Sequence, residues 1–257
     1  MINLAIQAAQ AGARVLMEKY GTTIRIEHKG EVDLVTEADQ AAETAIVATI
    51  REACPDHDIL AEEKDYGRRR GNHCWIIDPL DGTTNYAHGF PWFAVSIGLE
   101  VDGEIVVGVV LNPYNNELFV AEKGRGATLN NRQLSVSSID QLDQSLLATG
   151  FPYDRKQSKA NNYDHFVNFQ QSAQACRRPG VASLDLACVA AGRFDGYWEM
   201  KLKPWDVAAG QLLVSEAGGR LSDFAGGPAD LYGREIVASN GLIHQQMIDL
   251  LHSGTRP

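Results

Sequence analysis

The sequence predicts an α/β fold (α+β layered), in which helices and sheets stack in alternating layers. Three observations predict it. The chain has 257 residues and is 44% hydrophobic, enough to bury a large core. Its middle reads as consecutive strands joined by tight turns, and its second half alternates helical and strand patterns. No repeat, low-complexity tract or Pro/Ser linker separates these regions. Two closely packed lobes are therefore expected as one compact unit: an N-terminal α+β lobe over residues 1–140 and a C-terminal α/β lobe over 141–257, with the candidate site between them.

Leu4, Ala8, Ala11, Val15 and Leu16 recur at helical spacing and Gly21 follows as a stop, which predicts a helix over 2–20. Thr36 with Asp39 forms a capping pattern, and Ala42, Ala45, Ile46 and Ile50 continue one face of a second helix. Strands are predicted at 74–78, at 92–101 and 104–111 around the Asp102-Gly103 hairpin signal, and at 117–122 and 132–136, giving an antiparallel meander. Beyond it come a strand at 146–151, helices near 161–175 and 183–192, and an aromatic strand at 194–200. A helix from Pro204 to Gly218-Gly219, strands near 220–224 and 235–239, and a last helix from Asn240 follow.

The 33 acidic residues outnumber the 23 Lys and Arg, a formal net charge of -10 that repels polyanions. Nucleic acid and anionic membrane are poor partners for such a chain. An acidic protein that handles an anionic substrate needs local positive charge, and a bound cation supplies it most simply. Cys54, Cys74, Cys176 and Cys188 form no C-x-x-C pair, which suits a reducing cytoplasm. The first residues, broken by Asn3, Gln7, Gln10 and Arg14, read as neither a signal peptide nor a membrane span.

The segment CWIIDPLDGTTN places Asp78 and Asp81 at the end of an apolar strand, separated by a proline that turns the chain. Pro79 has no N–H and holds its predecessor extended, so the Leu80 carbonyl is a candidate third oxygen ligand. Carboxylate and carbonyl oxygens without nearby His or Cys suit Mg²⁺ before Ca²⁺, and not zinc. Gly82-Thr83-Thr84 adds a small residue, two hydroxyls and successive N–H groups suited to phosphate. An acidic Asp-Gly turn is the plain alternative. Glu62-Glu63 reads equally well as a solvated turn, and Asp206 and Asp39 as acids complementing helix N-termini.

Taken together, Glu62-Glu63, WIIDPLDGTTN, PWDVAAG with Glu-Ala-Gly-Gly at 216–219, and DLVTEAD at 33–39 resemble the ordered signatures of the inositol monophosphatase family over nearly the whole chain. The resemblance implies a sugar-phosphatase fold and a Mg²⁺-dependent, lithium-sensitive phosphomonoesterase working as a homodimer on inositol-1-phosphate. It implies that Glu62, Asp78 and the Leu80 carbonyl hold an activating Mg²⁺. Asp78, Asp81 and Asp206 would hold a second ion on the leaving-group side, with a third near Glu62. It further implies that Thr83 and Asp39 align the nucleophilic water, that the N–H groups of Gly82 and Thr83 bind phosphate, and that Glu199 and the loop Gly180-Val181-Ala182 contact the alcohol. The family more often has Ser directly after that glycine, so Val181 leaves the alcohol open. Arg177, Arg178, Lys201 and Lys203 are candidate cations for a second phosphate or ordinary surface charges.

Other chemistries lack their residues. Seven histidines show no zinc-ligand spacing, and no P-loop, nucleophile elbow or complete dinucleotide fingerprint is present. Fructose-1,6-bisphosphatase, histidinol-phosphatase and phosphoadenosine nucleotidase activities remain alternatives within the same metal chemistry. A regulatory binding protein that retains the fold without relying on turnover is the alternative of another class.

Overall fold

The computed structural model describes residues 1–22, 26–28, 34–67, 69 and 71–253. Asp33, the first residue of the DLVTEAD motif, lies outside them. Helix α1 (Ile2–Lys19) is followed by the short antiparallel pair β1 (Ile26–His28) and β2 (Leu34–Thr36), then by α2 (Glu37–Ala53). A seven-stranded sheet contains β3 (Asp58–Ala61), β4 (His73–Asp81), β5 (Ala94–Val101), β6 (Glu104–Asn112), β7 (Glu117–Glu122), β8 (Ala127–Leu129) and β9 (Arg132–Gln133), in that spatial order. The short helix α3 (Thr83–Ala87) interrupts it after β4. The remaining elements are β10 (Leu146–Thr149), α4 (Tyr163–Ser172), β11 (Ala175–Arg177), α5 (Ala182–Ala190), β12 (Gly196–Met200), α6 (Pro204–Glu216), β13 (Arg220–Ser222), β14 (Glu235–Ser239) and α7 (His244–His252). Their five strands form a mixed sheet in the order β11-β10-β12-β14-β13.

The period-2 alternation of each strand divides these elements into five layers. On β4, Trp75 and Ile77 point into the core shared with α1 and α2, whereas Cys74 and Ile76 face Ala208 of α6. Val110, Phe119 and Ala121 on that second face pack against α5 and α6, which meet Tyr197, Ile236 and Ala238 of the five-stranded sheet. Leu147, Trp198 and Val237 cover its far side with Phe169 of α4 and Met247 of α7. The order is α1/α2, seven-stranded sheet, α5/α6, five-stranded sheet, α4/α7, the α/β layering that the sequence predicts.

The middle layer depends on close approach. A Cβ added at Gly108 of β6 would stand 2.8 Å from the Ala209 carbonyl oxygen, and one at Gly98 of β5 would stand 2.9 Å from the Ala208 Cβ. Two strand glycines and two helix alanines thus let α6 lie directly on the sheet, although the helix belongs to the C-terminal half of the chain. This contact carries the start of α6 to the end of β4.

The hairpin at Asp102-Gly103 has both residues at positive φ, 51° and 84°, as its two-residue turn requires. Some expectations shift. The apolar run at 74–78 belongs to a nine-residue strand that continues through Pro79 with a register irregularity between Asp78 and Asp81. The strand expected at 132–136 contains only Arg132–Gln133 and is preceded by β8. The last helix starts at His244 instead of Asn240, because the Asn240 side chain accepts hydrogen bonds from the N–H groups of Leu242 and Ile243 and shapes a turn first.

His244 is fully buried and ties α7 to two strands. The Ser222 hydroxyl donates to the Asp223 carbonyl at 2.7 Å, so it accepts from His244 Nε2–H at 2.9 Å. His244 Nδ1 then accepts from the Ser239 hydroxyl at 2.8 Å, which itself accepts from the Gly241 N–H. Every donor meets an acceptor only if the ring is neutral. Burial, reinforced by Arg220, lowers the His244 pKa to about 4. The unfolded chain therefore binds a proton near pH 6.5 that the folded chain refuses until about pH 4, so this contribution to stability is intact above pH 6.5 and is lost as pH falls through that window. The expected loss is roughly 2–3 kcal/mol. It is measured as the difference in denaturant unfolding between wild type and His244→Gln from pH 7 to pH 4, in which wild type loses its advantage over the variant.

Candidate functional site

A cleft of about 620 Å³ opens where the first turns of α5 and α6 meet the end of β4. Glu62, Asp78, Leu80, Asp81, Gly82, Thr83, Gly180, Ala182, Glu199 and Asp206 line it. Segments far apart in sequence are thereby brought together. Asp39 stands behind Thr83, outside the lining, and is fully buried. Val181 is also buried and turns away from the cleft, its Cγ2 standing 2.7 Å from where a Cβ on Gly82 would lie. Gly82 has φ 95°, and the Trp92 carbonyl oxygen stands 3.2 Å from the same Cβ position, so both backbone shape and space favour glycine there.

Each inner carboxylate is held by an N–H or hydroxyl donor. Asp78 Oδ1 accepts from the Leu80 N–H at 3.0 Å. Asp81 Oδ2 accepts from the Ser183 N–H at 2.7 Å and the Ser183 hydroxyl at 2.6 Å, at the N-terminus of α5. Asp206 Oδ2 accepts from the Lys203 N–H at 2.7 Å in the first turn of α6. Glu62 follows β3, and the next N–H, that of Glu63, donates to Glu43 Oε2 at 2.8 Å. Glu43 is a fully buried acid of α2 that also accepts from the Tyr66 hydroxyl at 2.9 Å.

Thr83 joins Asp39 to the cleft. Its Oγ1 lies 3.0 Å from Asp39 Oδ1 and 3.1 Å from the Leu80 carbonyl, so one hydroxyl proton is shared between two acceptors. The other Asp39 oxygen completes the capping box of α2, accepting from the Thr36 N–H at 2.8 Å and the Thr36 hydroxyl at 2.5 Å. The helix-cap reading and the pairing with Thr83 therefore hold together, one for each oxygen.

The electrostatics are those of uncompensated negative charge. Burial, then Glu62, Asp81 and Asp206, raises Asp78 well above the carboxylate range. Burial and Asp81 do the same to Asp206. Asp81 is pushed up to about 6 by burial, against the lowering effect of its Ser183 hydrogen bonds. Glu199 is pushed up to about 7 by burial, while hydrogen bonding from Tyr197 and the charge of Arg178 oppose the shift. Behind them Asp185 is buried with no hydrogen-bond partner on either carboxylate oxygen. Among the described residues no three acidic, His or Cys side chains already converge at metal-ligand distances. The donor chemistry nonetheless fits a hard divalent cation: crowded carboxylates and one carbonyl, with His88 the only imidazole in the described lining.

The sequence reading missed Glu43, Ser183 and Asp185. Glu43 lies one helical turn after Asp39, so i,i+4 spacing on one face was the available signal. Of the candidate extra cations, Arg178, Lys201 and Lys203 line the cleft, whereas Arg177 is exposed outside it.

Fold and site together define a phosphatase. The model of the inositol monophosphatase family matches residues 1–256, and the chain belongs to that family. It is 47% identical over 252 residues to inositol-1-monophosphatase of Synechocystis sp., covering 97% of this chain and 88% of that protein. It is 46% identical over 255 residues to Nus factor SuhB of Escherichia coli, covering 96% and 94% of the two chains. The structure of inositol monophosphatase from Anabaena (Nostoc) sp. superposes with TM-score 0.91 at 43% identity, covering 98% of this chain and 95% of that one. Among the described residues no helix is long and apolar enough to cross a membrane.

A cation that binds among these acids stabilises the folded state by mass action. In chelated buffer Mg²⁺ should therefore raise the wild-type melting temperature, by about 2–4 °C for each kcal/mol of binding energy. Asp206→Asn removes one of the repelling charges, so it should melt above wild type without Mg²⁺ and respond less to its addition. Differential scanning calorimetry with and without the ion checks both halves.

Proposed function

We propose that the protein is a Mg²⁺-dependent phosphomonoesterase that hydrolyses inositol-1-phosphate to inositol and phosphate, as a cytoplasmic homodimer. The observation that supports it is the meeting of Glu62, Asp78, Asp81 and Asp206 in one cleft with the Thr83–Asp39 pair at its edge. Glu62, Asp78 and the Leu80 carbonyl would hold one ion, and Asp78, Asp81 and Asp206 a second, with a third near Glu62. Bound Mg²⁺ supplies the positive charge that draws in a phosphate dianion and acidifies water. The homodimer rests on family likeness alone.

The chain's own residues position and deprotonate. The Thr83 hydroxyl can donate to Asp39 Oδ1 while its lone pairs accept from a water facing the cleft. Asp39, whose pKa burial raises against the hydrogen bonds from Thr36 and Thr83, is an acceptor for that proton. The N–H groups of Gly82 and Thr83 would receive the phosphate oxygens. Glu199, Gly180 and Ala182 would face the alcohol, and Asp206 its departing oxygen. Val181 supports Gly82 from behind and leaves the alcohol to its neighbours.

Release of phosphate from inositol-1-phosphate should require Mg²⁺ and stop on chelation; full turnover in metal-free buffer would overturn the reading. Thr83→Ala and Asp39→Asn should each lower kcat about 10²-fold with little change in KM. The double variant should be scarcely slower than either single one. Asp39→Asn should also cost about 0.5–2 kcal/mol of stability, because the same carboxylate caps α2. Thermal melts and single-turnover kinetics on one preparation separate the two effects.

A second activity, on fructose-1,6-bisphosphate, is favoured by the presence of Arg178 and Lys203 on the cleft wall. Arg178→Gln should then impair the bisphosphate more than inositol-1-phosphate, as read from the two kcat/KM values.

A further inference from the structure

One wall of the cleft is a loop, residues 150–162, between β10 and α4. Gly150, Phe151, Pro152, Tyr153 and Arg155 face the cavity. The loop is fastened at both root and tip. At the root, buried Asn162 donates to Thr149 Oγ1 at 2.9 Å and to the Gly150 carbonyl at 2.6 Å, and it accepts from Trp198 Nε1 at 2.8 Å. Asn162 sits at φ 72°, so its backbone adopts a conformation uncommon for a residue with a side chain in order to make these bonds. At the tip, Lys201 Nζ donates to both carboxylate oxygens of Asp154, at 2.9 and 2.7 Å, and to Ser158 Oγ at 3.0 Å. Lys201 too has positive φ, 63°, and its N–H is fixed by the Arg234 carbonyl.

Both fastenings end on β12 and the link that follows it, which also carry Glu199. The Glu199 carboxylate occupies the place where a side chain on Gly150 would stand, so the loop leaves its strand directly over that acid. A loop held by Trp198 and Lys201, and resting on Glu199, sets the room left beside the position proposed for the alcohol.

We propose that the Lys201–Asp154–Ser158 clip is a specificity-determining element, which holds the 150–162 loop against the cleft and favours compact polyol phosphates over esters with an extended leaving group. It rests on the phosphatase reading. Asp154 lies outside the cleft lining and acts only through the loop, so it is a positioning residue. The clip is partly exposed, with Lys201 and Asp154 side chains 25% and 49% accessible, so its effect is modest, about 3- to 5-fold, the upper part of the range measured for such pairs.

The test compares wild type, Asp154→Asn, Lys201→Met and the double variant on inositol-1-phosphate, glycerol 2-phosphate and adenosine 2′-monophosphate, with hydrogen exchange of the 150–162 segment followed in parallel. Asp154→Asn should speed exchange in that segment several-fold and raise KM for inositol-1-phosphate about 3- to 5-fold. The kcat on glycerol 2-phosphate should stay within about 2-fold. The kcat/KM for adenosine 2′-monophosphate relative to inositol-1-phosphate should rise about 3- to 5-fold in Asp154→Asn, and the double variant should match Lys201→Met, because Asp154 acts only through that lysine. The conservative variant Asp154→Glu, which keeps the carboxylate outside the cleft lining, should retain the wild-type ratio. Equal losses on all three esters, or unchanged exchange, would overturn the clip. Absence of hydrolysis of any of the three by wild type would overturn the phosphatase reading instead, while the exchange measurement still decides whether the clip holds the loop.

Discussion

The structure is organised by the need to hold several carboxylates close together. Left to themselves these groups would separate or take up protons: burial raises the pKa values of Asp78, Asp81, Asp206 and Glu199, and neighbouring acids add to the rise at Asp78, Asp206 and Glu199. Two helix starts restrain them. Ser183 at the head of α5 binds Asp81, and the first turn of α6 binds Asp206. The partial positive charge of an N-terminal turn, with its unused N–H groups, stabilises an anion placed there. The middle helical layer is thus as much an electrostatic support as a packing element, and the Gly98 and Gly108 contacts that admit α6 decide where one of its charges lies.

From α2 the support is of another kind. Asp39 and Glu43 are neighbours on one face of that helix and both are fully buried. One engages Thr83, the other the N–H of Glu63, so a single helix sets two edges of the cleft. Mutation of Glu43 would disturb Glu62 without touching any group in the cavity.

Much of this was legible in the sequence, and the exceptions have physical causes. Helix α1 carried a period near 3.6 and a glycine stop, α2 a cap and a period, α6 a proline start and a Gly-Gly stop, and the Asp102-Gly103 hairpin its turn chemistry, all of which act locally. The parallel strands β3 and β11 have only four and three residues, too short for alternation to register, and each pairs in parallel with a neighbouring strand across a connection that carries no hairpin turn signal. Asp78 and Asp81 stood out by residue type and spacing, and Asp206 only through the family resemblance. Ser183 did not, because a serine in a first helical turn looks like any other until Asp81 is seen to accept from it. The orientation of Val181 was equally hidden: adjacent loop residues point to opposite sides, and only the close pass of Gly82 shows which side Val181 takes.

One carboxylate that ends a helix with one oxygen and meets Thr83 with the other binds two timescales together. The first turn of a helix is the part of it that frays most readily, opening and closing far more often than the whole domain unfolds. Whenever the turn at Thr36 opens, Asp39 is released from both partners at once. Heat should therefore silence this protein by degrees, through loss of a single turn, before any cooperative melting begins, and cooling should restore it without refolding.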